Sequence, residues 1–281
     1  MQGRVLIVAG SDSGGGAGIQ ADVKTVTALG GFAATAVTAL TAQNTTGVYG
    51  VVGVEPPFIQ QQMRLVIEDI GVDAVKTGML HSAPVIEAVA EVLAELDPGL
   101  PVVVDPVMVA QSGASLLESE AVSALKERLL SRATVLTPNL PEAEALLGAE
   151  IPETRDGMVS AALALAGLGP AAMLLKGGHM AGDRLRDVLA GAGELLEVFE
   201  EPRIDTPHTH GTGCTLASAI ATGLAQGLEV SAAVRRARRY LRLAIEKNPG
   251  LGRGQGPVNH GVTVAPFDGV TDQGVHGGRN D

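Results

Sequence analysis

Short apolar runs alternate with longer amphipathic stretches along most of this 281-residue chain, and this alternation constrains the fold more than any other feature. Runs rich in valine, isoleucine and leucine predict buried strands at residues 4–9, 33–40, 72–76, 102–104, 134–136 and 171–175. Helical periodicity between them predicts helices at residues 19–29, 58–70, 84–96, 118–130, 141–147 and 155–167. Because strands joined by helices pair in parallel, the pattern predicts an α/β fold with a mostly parallel central sheet and helices on both faces.

Two segments interrupt the alternation. Residues 48–54 predict a strand without a crossover helix of its own, and residues 184–199 predict a hairpin across a glycine-rich turn. We expect these extra strands to lie outside the main sheet, as a small β lid or flap or as a dimer edge. Two further helices are predicted at residues 215–226 and 231–247. We treat residues 1–267 as a single domain and expect residues 268–281, rich in glycine, aspartate and asparagine, to form a disordered tail.

Composition excludes several classes of function. Aromatic residues make up only 2% of the chain, so the core must consist of aliphatic side chains, as in buried parallel strands. A net charge of −11 argues against a nucleic-acid partner, which would require clustered lysine and arginine. No apolar run reaches the roughly 18 residues of a membrane-spanning helix. The single cysteine excludes an intramolecular disulfide, and we expect a cytoplasmic protein that contacts neither membrane nor nucleic acid.

The sequence His-Gly-Thr-Gly-Cys-Thr at residues 210–215 is typical of an anion site. Gly211 and Gly213 let the backbone turn its N–H groups toward one point, and a helix that begins near Thr212 adds the positive end of its dipole. Phosphate is the expected ligand. A thiol at such a helix start should have a stabilised thiolate, which makes Cys214 a candidate for proton handling. The alternative interpretation is a glycine helix cap followed by a buried cysteine.

Other candidate residues follow the predicted strands, because ligands of doubly wound sheets bind beyond the carboxyl ends of the strands. Asp105 follows three valines, and together with Asn139 and Glu142 it offers hard oxygen ligands suited to Mg²⁺ carried with a nucleotide. Glu142 could instead cap its helix. Lys176 follows another strand and is a candidate cation for a transferring phosphate, the alternative being an ordinary surface lysine.

The glycine-rich loop at residues 10–18 fits neither the Walker type of phosphate loop nor the dinucleotide pattern. It would let a flat ligand approach the backbone closely. Asp22, one helical turn further on, could accept hydrogen bonds from a heterocycle, or could be a solvated helix residue. Met79 and Val107 would be core residues by default, but their places after strands allow them to wall a slot for a planar ring.

The histidines and the basic run suggest no separate function. The imidazoles of His179, His208 and His210 lack carboxylate or thiol partners at zinc-ligand spacing, so we interpret them as loop or nucleotide-edge residues. Arginines at residues 235, 236, 238 and 239 lie in a helical pattern and are most simply a solvated face, one member of which could meet phosphate.

Taken together, these blocks resemble the hydroxymethylpyrimidine and phosphomethylpyrimidine kinases of thiamine synthesis, members of the ribokinase-like superfamily. The resemblance runs from about Val5 to His260 and is specific because many blocks occur in one order. They lie at residues 9–12, 17–25, 38–45, 76–80, 105–108, 137–143, 175–179, 209–216 and 256–260. The resemblance implies a ribokinase-like fold, ATP and Mg²⁺ as cofactors, a homodimer, and two successive phosphorylations of 4-amino-5-hydroxymethyl-2-methylpyrimidine.

The resemblance also implies a role for individual residues. Asp22 and Gln43 would read the amino group and ring nitrogens of the pyrimidine, Asp105 and Glu142 would hold Mg²⁺, and the backbone at residues 211–214 would form the anion hole. Cys214 stands where sugar-kinase relatives place an aspartate base. The full substrate-binding set is Gly10, Ala17, Asp22, Gln43, Met79, Val107 and Cys214. The nucleotide set is Asn139, Lys176, His208, Thr212 and Arg238, and the catalytic set is Lys176, Gly211, Thr212, Gly213 and Cys214.

Two rival functions remain open. A pyridoxal or pyridoxine kinase of the same superfamily would phosphorylate the hydroxymethyl group of a similar ring, although Gln43 and Met79 favour the aminopyrimidine. A non-catalytic pyrimidine-binding domain would keep the pocket without turnover. The presence of Asp105, Glu142, Lys176 and the Gly-Thr-Gly-Cys sequence argues against that second alternative.

Overall fold

The computed structural model describes residues 1–108, 119–178 and 182–265. The tail expected at residues 268–281 and His179 lie outside the described residues. The strands are β1 (Arg4–Asp12), β2 (Phe32–Asn44), β3 (Gly47–Gly53), β4 (Ala74–Thr77), β5 (Val102–Val104), β6 (Val135–Leu136), β7 (Ala172–Lys176), β8 (Arg184–Gly191) and β9 (Glu194–Pro202). The helices are α1 (Gly18–Ala28), α2 (Pro56–Asp69), α3 (Ala83–Ala94), α4 (Ser119–Arg128), α5 (Leu140–Leu147), α6 (Arg155–Ala166), α7 (Thr212–Ala225) and α8 (Val230–Glu246).

All of these strands belong to one nine-stranded sheet in the order β3-β2-β1-β4-β5-β6-β7-β8-β9. Pairings from β2 through β7 are parallel, as predicted, and β3, β8 and β9 add antiparallel edges. The α/β class with a mostly parallel sheet is therefore confirmed. The expectation that the extra strands lie outside the sheet is wrong, because β8 pairs along the whole of β7, with Leu174 opposite Leu189. Those backbone groups of β7 would otherwise form an unpaired edge.

Helices cover both faces, and alternate residues of β1 show how the two cores divide. Leu6 and Val8 pack with residues of α2 through α6 on one face. Val5 and Ile7 pack with residues of α1, α7 and α8 on the other. Both cores are built mainly of aliphatic side chains, as composition predicts, and buried Tyr240 lies in the second. Within the described residues, no helix is both long and apolar enough to cross a membrane.

Strand β2 is longer than predicted, and this places it in the functional site. Its first part pairs with β1, and its last part, from Ala39 to Asn44, pairs with β3. The prediction ended at residue 40 because the following residues are polar and lack apolar alternation. That polar end is the part of β2 that carries Thr41 and Gln43 to the carboxyl edge of the sheet.

Candidate active site

The carboxyl ends of β1, β4, β5, β6 and β7 open into a cavity of about 560 Å³. Most residues predicted for the site line it, which places the phosphate, metal and ring-binding candidates together. They are Gly10, Ala17, Gln43, Met79, Asp105, Val107, Asn139, Glu142, Lys176, Gly211, Thr212, Gly213 and Cys214. Three predicted site residues, Asp22, His208 and Arg238, are not among the residues that line the cavity.

The turn before α7 has the geometry expected of an anion site. Gly211 is the N-cap of α7 with a φ of +80°, and a Cβ there would overlap the carbonyl oxygen of Gly16, so only glycine fits. The helix begins at Thr212, and the N–H groups of its first turn have no partner within the helix. A Cβ on Gly213 would lie 3.4 Å from Lys176 Nζ, which shows how closely the turn faces that ammonium group. Backbone amides, a helix dipole and a lysine thus converge on one point.

The Cys214 thiol differs from expectation. Burial raises its pKa to about 12, and although Lys76 lowers it, Asp22 and Asp105 raise it further. In the free protein the group is therefore a neutral thiol at physiological pH. The prediction of a stabilised thiolate is wrong, because loss of solvation and two nearby carboxylates outweigh the helix start.

Asp105, Lys176 and Glu142 form the charged side of the cavity. Lys176 Nζ lies 3.2 Å from Asp105 Oδ1, and Thr137 Oγ1 donates to the same oxygen at 3.2 Å. Glu142 serves as a helix cap as well as lining the cavity: Asn139 N–H donates to its Oε2 at 2.8 Å, and its own N–H donates to Asn139 Oδ1 at 2.9 Å. Burial raises the pKa of Glu142 to about 7, Lys176 lowers it, and Asp105 raises it again.

Asp22 does not line the cavity; other side chains of the protein bind its carboxylate, and its predicted contact with a substrate stays a prediction. Its completely buried carboxylate accepts bonds from Lys76 Nζ at 2.9 Å to both oxygens and from Ser218 Oγ at 2.7 Å. Burial favours the neutral amine of Lys76, but Asp22, Cys214 and Asp105 outweigh it and raise the pKa of Lys76. Lys76 lines the cavity and is the functional residue that sequence reasoning passed over. The sequence feature that could have identified Lys76 is its place at the end of an apolar strand.

Asp12 was not assigned to the site, and His210 was interpreted only as a loop or nucleotide-edge residue, although both line the cavity. Asp12 Oδ2 lies 2.9 Å from His210 Nε2, and Gln43 lies 3.3 Å from the same nitrogen. The C-terminal segment holds this wall in place. The carbonyl of Gly256 accepts the His210 N–H at 3.0 Å, and Gln255 N–H donates to the carbonyl of residue 45, at the tip of the β2–β3 hairpin, at 2.9 Å.

His208 and Arg238 do not line the cavity, and their predicted contacts with nucleotide stay predictions. His208 packs against Gly256, where a Cβ would overlap its Nδ1. Arg238 on α8 is ion-paired with Asp187 and with Glu201, and its guanidinium lies 4.5 Å from the ring centroid of Phe199. Those partners belong to the β8–β9 hairpin, so Arg238 fastens α8 to the sheet edge.

Comparisons with known proteins agree with this geometry. A family model described as phosphomethylpyrimidine kinase matches residues 12–259. The chain is 55% identical over 260 residues to the thiamine biosynthesis bifunctional protein of Geobacter sulfurreducens, covering 92% of this chain but only 52% of that protein. It is 51% identical to the hydroxymethylpyrimidine/phosphomethylpyrimidine kinase of Streptomyces coelicolor, covering 92% of this chain and 94% of that one.

Among solved structures, the ADP complex of Bacillus subtilis pyridoxal kinase superposes with a TM-score of 0.85 at 38% identity, over 93% of this chain and 98% of that chain. The match of the family model to most of the chain, with the anion turn, the charged edge and the ring slot in one cavity, confirms the resemblance noted in the sequence. The chain belongs to the phosphomethylpyrimidine kinase family.

Proposed function

We propose that this protein transfers phosphate from ATP to 4-amino-5-hydroxymethyl-2-methylpyrimidine, and then to the monophosphate so formed, in thiamine biosynthesis. The observation that supports the proposal is a single cavity that has a charged, anion-binding side and an apolar side. The anion turn at residues 211–214 lies near Lys176 and Asp105, and apolar Met79 and Val107 supply the walls of a slot for a flat ring. The family's kinases from Geobacter and Streptomyces are named for this pathway or this substrate.

In this proposal the ring lies under the first loop. Gly10 leaves room there: a Cβ at this position would run into the Met79 side chain. Gln43 supplies amide groups for the amino substituent and ring nitrogen, and Ala17 borders the same space. The hydroxymethyl group then points to Cys214, whose neutral thiol orients the alcohol and does not deprotonate it in the ground state.

The transfer step needs positioning and charge neutralisation more than a strong base, because the transition state is loose. The alcohol oxygen forms a bond to the γ-phosphorus as the bond to the ADP oxygen breaks, and the alcohol proton passes late to an oxygen of the transferred phosphoryl group. Amides of Gly213 and Cys214 stabilise the equatorial oxygens, and the Lys176 ammonium adds positive charge. Asn139 and Thr212 border the phosphates. The second transfer uses a phosphate oxygen of the monophosphate as nucleophile at the same point.

The residues present fit a magnesium ion brought with the nucleotide. Asp105 and Glu142 offer carboxyl oxygens on one edge of the cavity, and an approaching cation favours the ionised form of both. Within the described residues, no group of three or more histidine, cysteine or acidic side chains could hold a metal ion. Two carboxylates suit Mg²⁺, which keeps several waters and takes phosphate oxygens as further ligands. When bound, it would neutralise charge on the transferring group.

A substrate panel tests the proposal. Purified protein with Mg-ATP should convert the aminopyrimidine alcohol to the monophosphate and then to the diphosphate, followed by chromatography of the products. Pyridoxal phosphorylation is the second candidate, favoured by the likeness to the Bacillus subtilis pyridoxal kinase. Turnover of pyridoxal at far higher kcat/KM would replace the assignment, and pyrimidine binding without ATP consumption would indicate a non-catalytic domain.

We further propose that residues 1–267 act as one unit in the cytoplasm, as a homodimer. Exposed apolar side chains on the outer strand and its neighbours support the dimer: Leu40, Tyr49 and Val52 are 53%, 72% and 66% exposed. Light scattering at micromolar concentration should give twice the mass of the 28.5 kDa chain, and a monomer would contradict the dimer.

A further inference from the structure

One wall of the cavity holds a chain of hydrogen bonds that begins at Asp12. Its carboxylate accepts N–H bonds from three amides of the 14–17 loop at 2.8, 3.0 and 2.8 Å, and it faces His210 Nε2 at 2.9 Å. Burial favours the protonated acid, but His210 and the loop amides outweigh it and hold the pKa of Asp12 below its ordinary value. Asp12 is therefore an ionised, acceptor-only group.

The ionised Asp12 fixes a proton on His210. A carboxylate oxygen that already accepts amide bonds can be approached at 2.9 Å only by a donor. Nε2 of His210 accordingly carries a proton, in the neutral ring or in the imidazolium. That nitrogen can then accept nothing from Gln43.

The Gln43 amide makes two contacts that depend on where these protons lie, one with His210 and one with Thr41. With Gln43 Nε2 toward His210 Nε2 at 3.3 Å, two donors would face each other. Its Oε1 faces Thr41 Oγ1 at 3.2 Å, but the single Thr41 proton is donated to the Ser11 carbonyl at 2.9 Å. With the amide nitrogen and oxygen exchanged and every heavy atom in place, Gln43 Nε2 donates to Thr41 Oγ1. Gln43 Oε1 then shares the single His210 Nε2 proton, which Asp12 accepts at 2.9 Å, in a three-centre hydrogen bond.

We propose that Asp12, through His210, and Ser11, through Thr41, lock the Gln43 amide with its oxygen toward His210 and its nitrogen toward Thr41. These are positioning residues, because they act through Gln43. The lock uses one lone pair and one N–H of the amide, and one of each remains side by side for a ligand. That pair complements an amino group next to a ring nitrogen, as glutamine pairs with adenine. This role rests on the aminopyrimidine proposed above.

A locked amide predicts discrimination that a free amide would not give. In the 4-oxo analogue of the substrate, the oxygen accepts and the adjacent ring N–H donates, which reverses the order. A free amide would rotate and bind either ring. Here, rotation breaks the bonds to His210 and Thr41, so we expect the amino compound to bind at least tenfold more tightly than the oxo compound.

The test measures Kd for both pyrimidines by calorimetry without ATP, in the full chain and in two variants at one site. Thr41→Val keeps the shape and removes the hydroxyl, and we expect it to lower the amino-to-oxo preference about tenfold. Thr41→Ser keeps the hydroxyl and should retain the preference. His210→Phe, which removes the donor at the other end, should lower it as well.

Nitrogen-15 NMR of the imidazole provides a reading that does not depend on the substrate. A protonated Nε2 of His210 supports the lock, and an unprotonated Nε2 overturns it. Equal preferences in the wild type and Thr41→Val also overturn it. If neither pyrimidine binds, the proposed function fails, and the NMR signal still decides whether Asp12 and His210 orient the amide.

Discussion

The ionisation of Cys214 gives the sharpest prediction, because it is the only cysteine in the chain and alkylation reports on it without background. Burial raises its pKa from 9.0 to about 12, so its thiolate fraction at pH 8 falls about a thousandfold relative to an ordinary thiol. A more basic thiolate is a better nucleophile by about 20-fold, from a Brønsted slope of about 0.45. The net expectation is alkylation by iodoacetamide about 50-fold slower in the folded protein than in the unfolded chain.

The pH dependence is the decisive part of that assay. The alkylation rate of the folded protein should rise about tenfold per pH unit to pH 10 without a plateau, because the thiolate population is still growing. The same protein in urea serves as the control: with the ordinary pKa of 9.0, its rate should depart from the tenfold slope near pH 9 and level off above about pH 10. A plateau below pH 9 in the folded protein would refute the reasoning and would restore Cys214 as a candidate base.

Three further predictions concern the surrounding charges. Lys76→Met leaves Asp22 buried without a counter-charge and should lower the free energy of unfolding, measured by urea titration, by about 3–5 kcal/mol. Adding Asp22→Asn should largely restore that free energy. A Lys76→Met variant as stable as the wild type would contradict this reasoning. The pKa of Glu142 is raised from 4.5 to about 7, so between these pH values the folded protein binds a proton that the unfolded chain has released. The free energy of unfolding should therefore fall by up to about 3 kcal/mol as the pH rises from 4.5 to about 7. Glu142→Gln should remove that slope in urea titrations at several pH values, and an unchanged slope would count against the shift. Arg238→Ala should lower the melting temperature and leave KM for ATP within about twofold, since its partners lie on the β8–β9 hairpin; a tenfold rise in KM would return it to the nucleotide site.

Most of the fold and the phosphate side of the site could be predicted from local sequence patterns. Valines before Asp105 and glycines around Thr212 each act on the backbone nearby, so their effect can be predicted from a few adjacent residues. Side-chain contacts between residues far apart in the sequence could not be predicted in this way. Asp22 resembles any polar helix residue until Lys76, 54 positions away, is brought beside it by the pairing of strands.

The same limit applies to α8. Arg238 has a charge that suits phosphate, and only the register of the hairpin decides that Asp187 and Glu201 take it instead. For Cys214, the helix start was visible in the sequence, but the desolvation and the two carboxylates that oppose it depend on packing. Long-range burial and charge are therefore the physical quantities that the sequence leaves open.

The contact between Asp12 and His210 joins positions 198 apart, and residue 256 in turn secures the histidine. During synthesis, the N-terminal strands can therefore be complete while the cavity still lacks the wall that contains His210. Because contacts between positions far apart in sequence form slowly compared with local helices, we expect this wall of the cavity to form late in folding. A polypeptide that ends before residue 256 would lack the contact that secures His210, and one that ends before residue 212 would also lack α7 and α8, which together with α1 cover one face of the sheet.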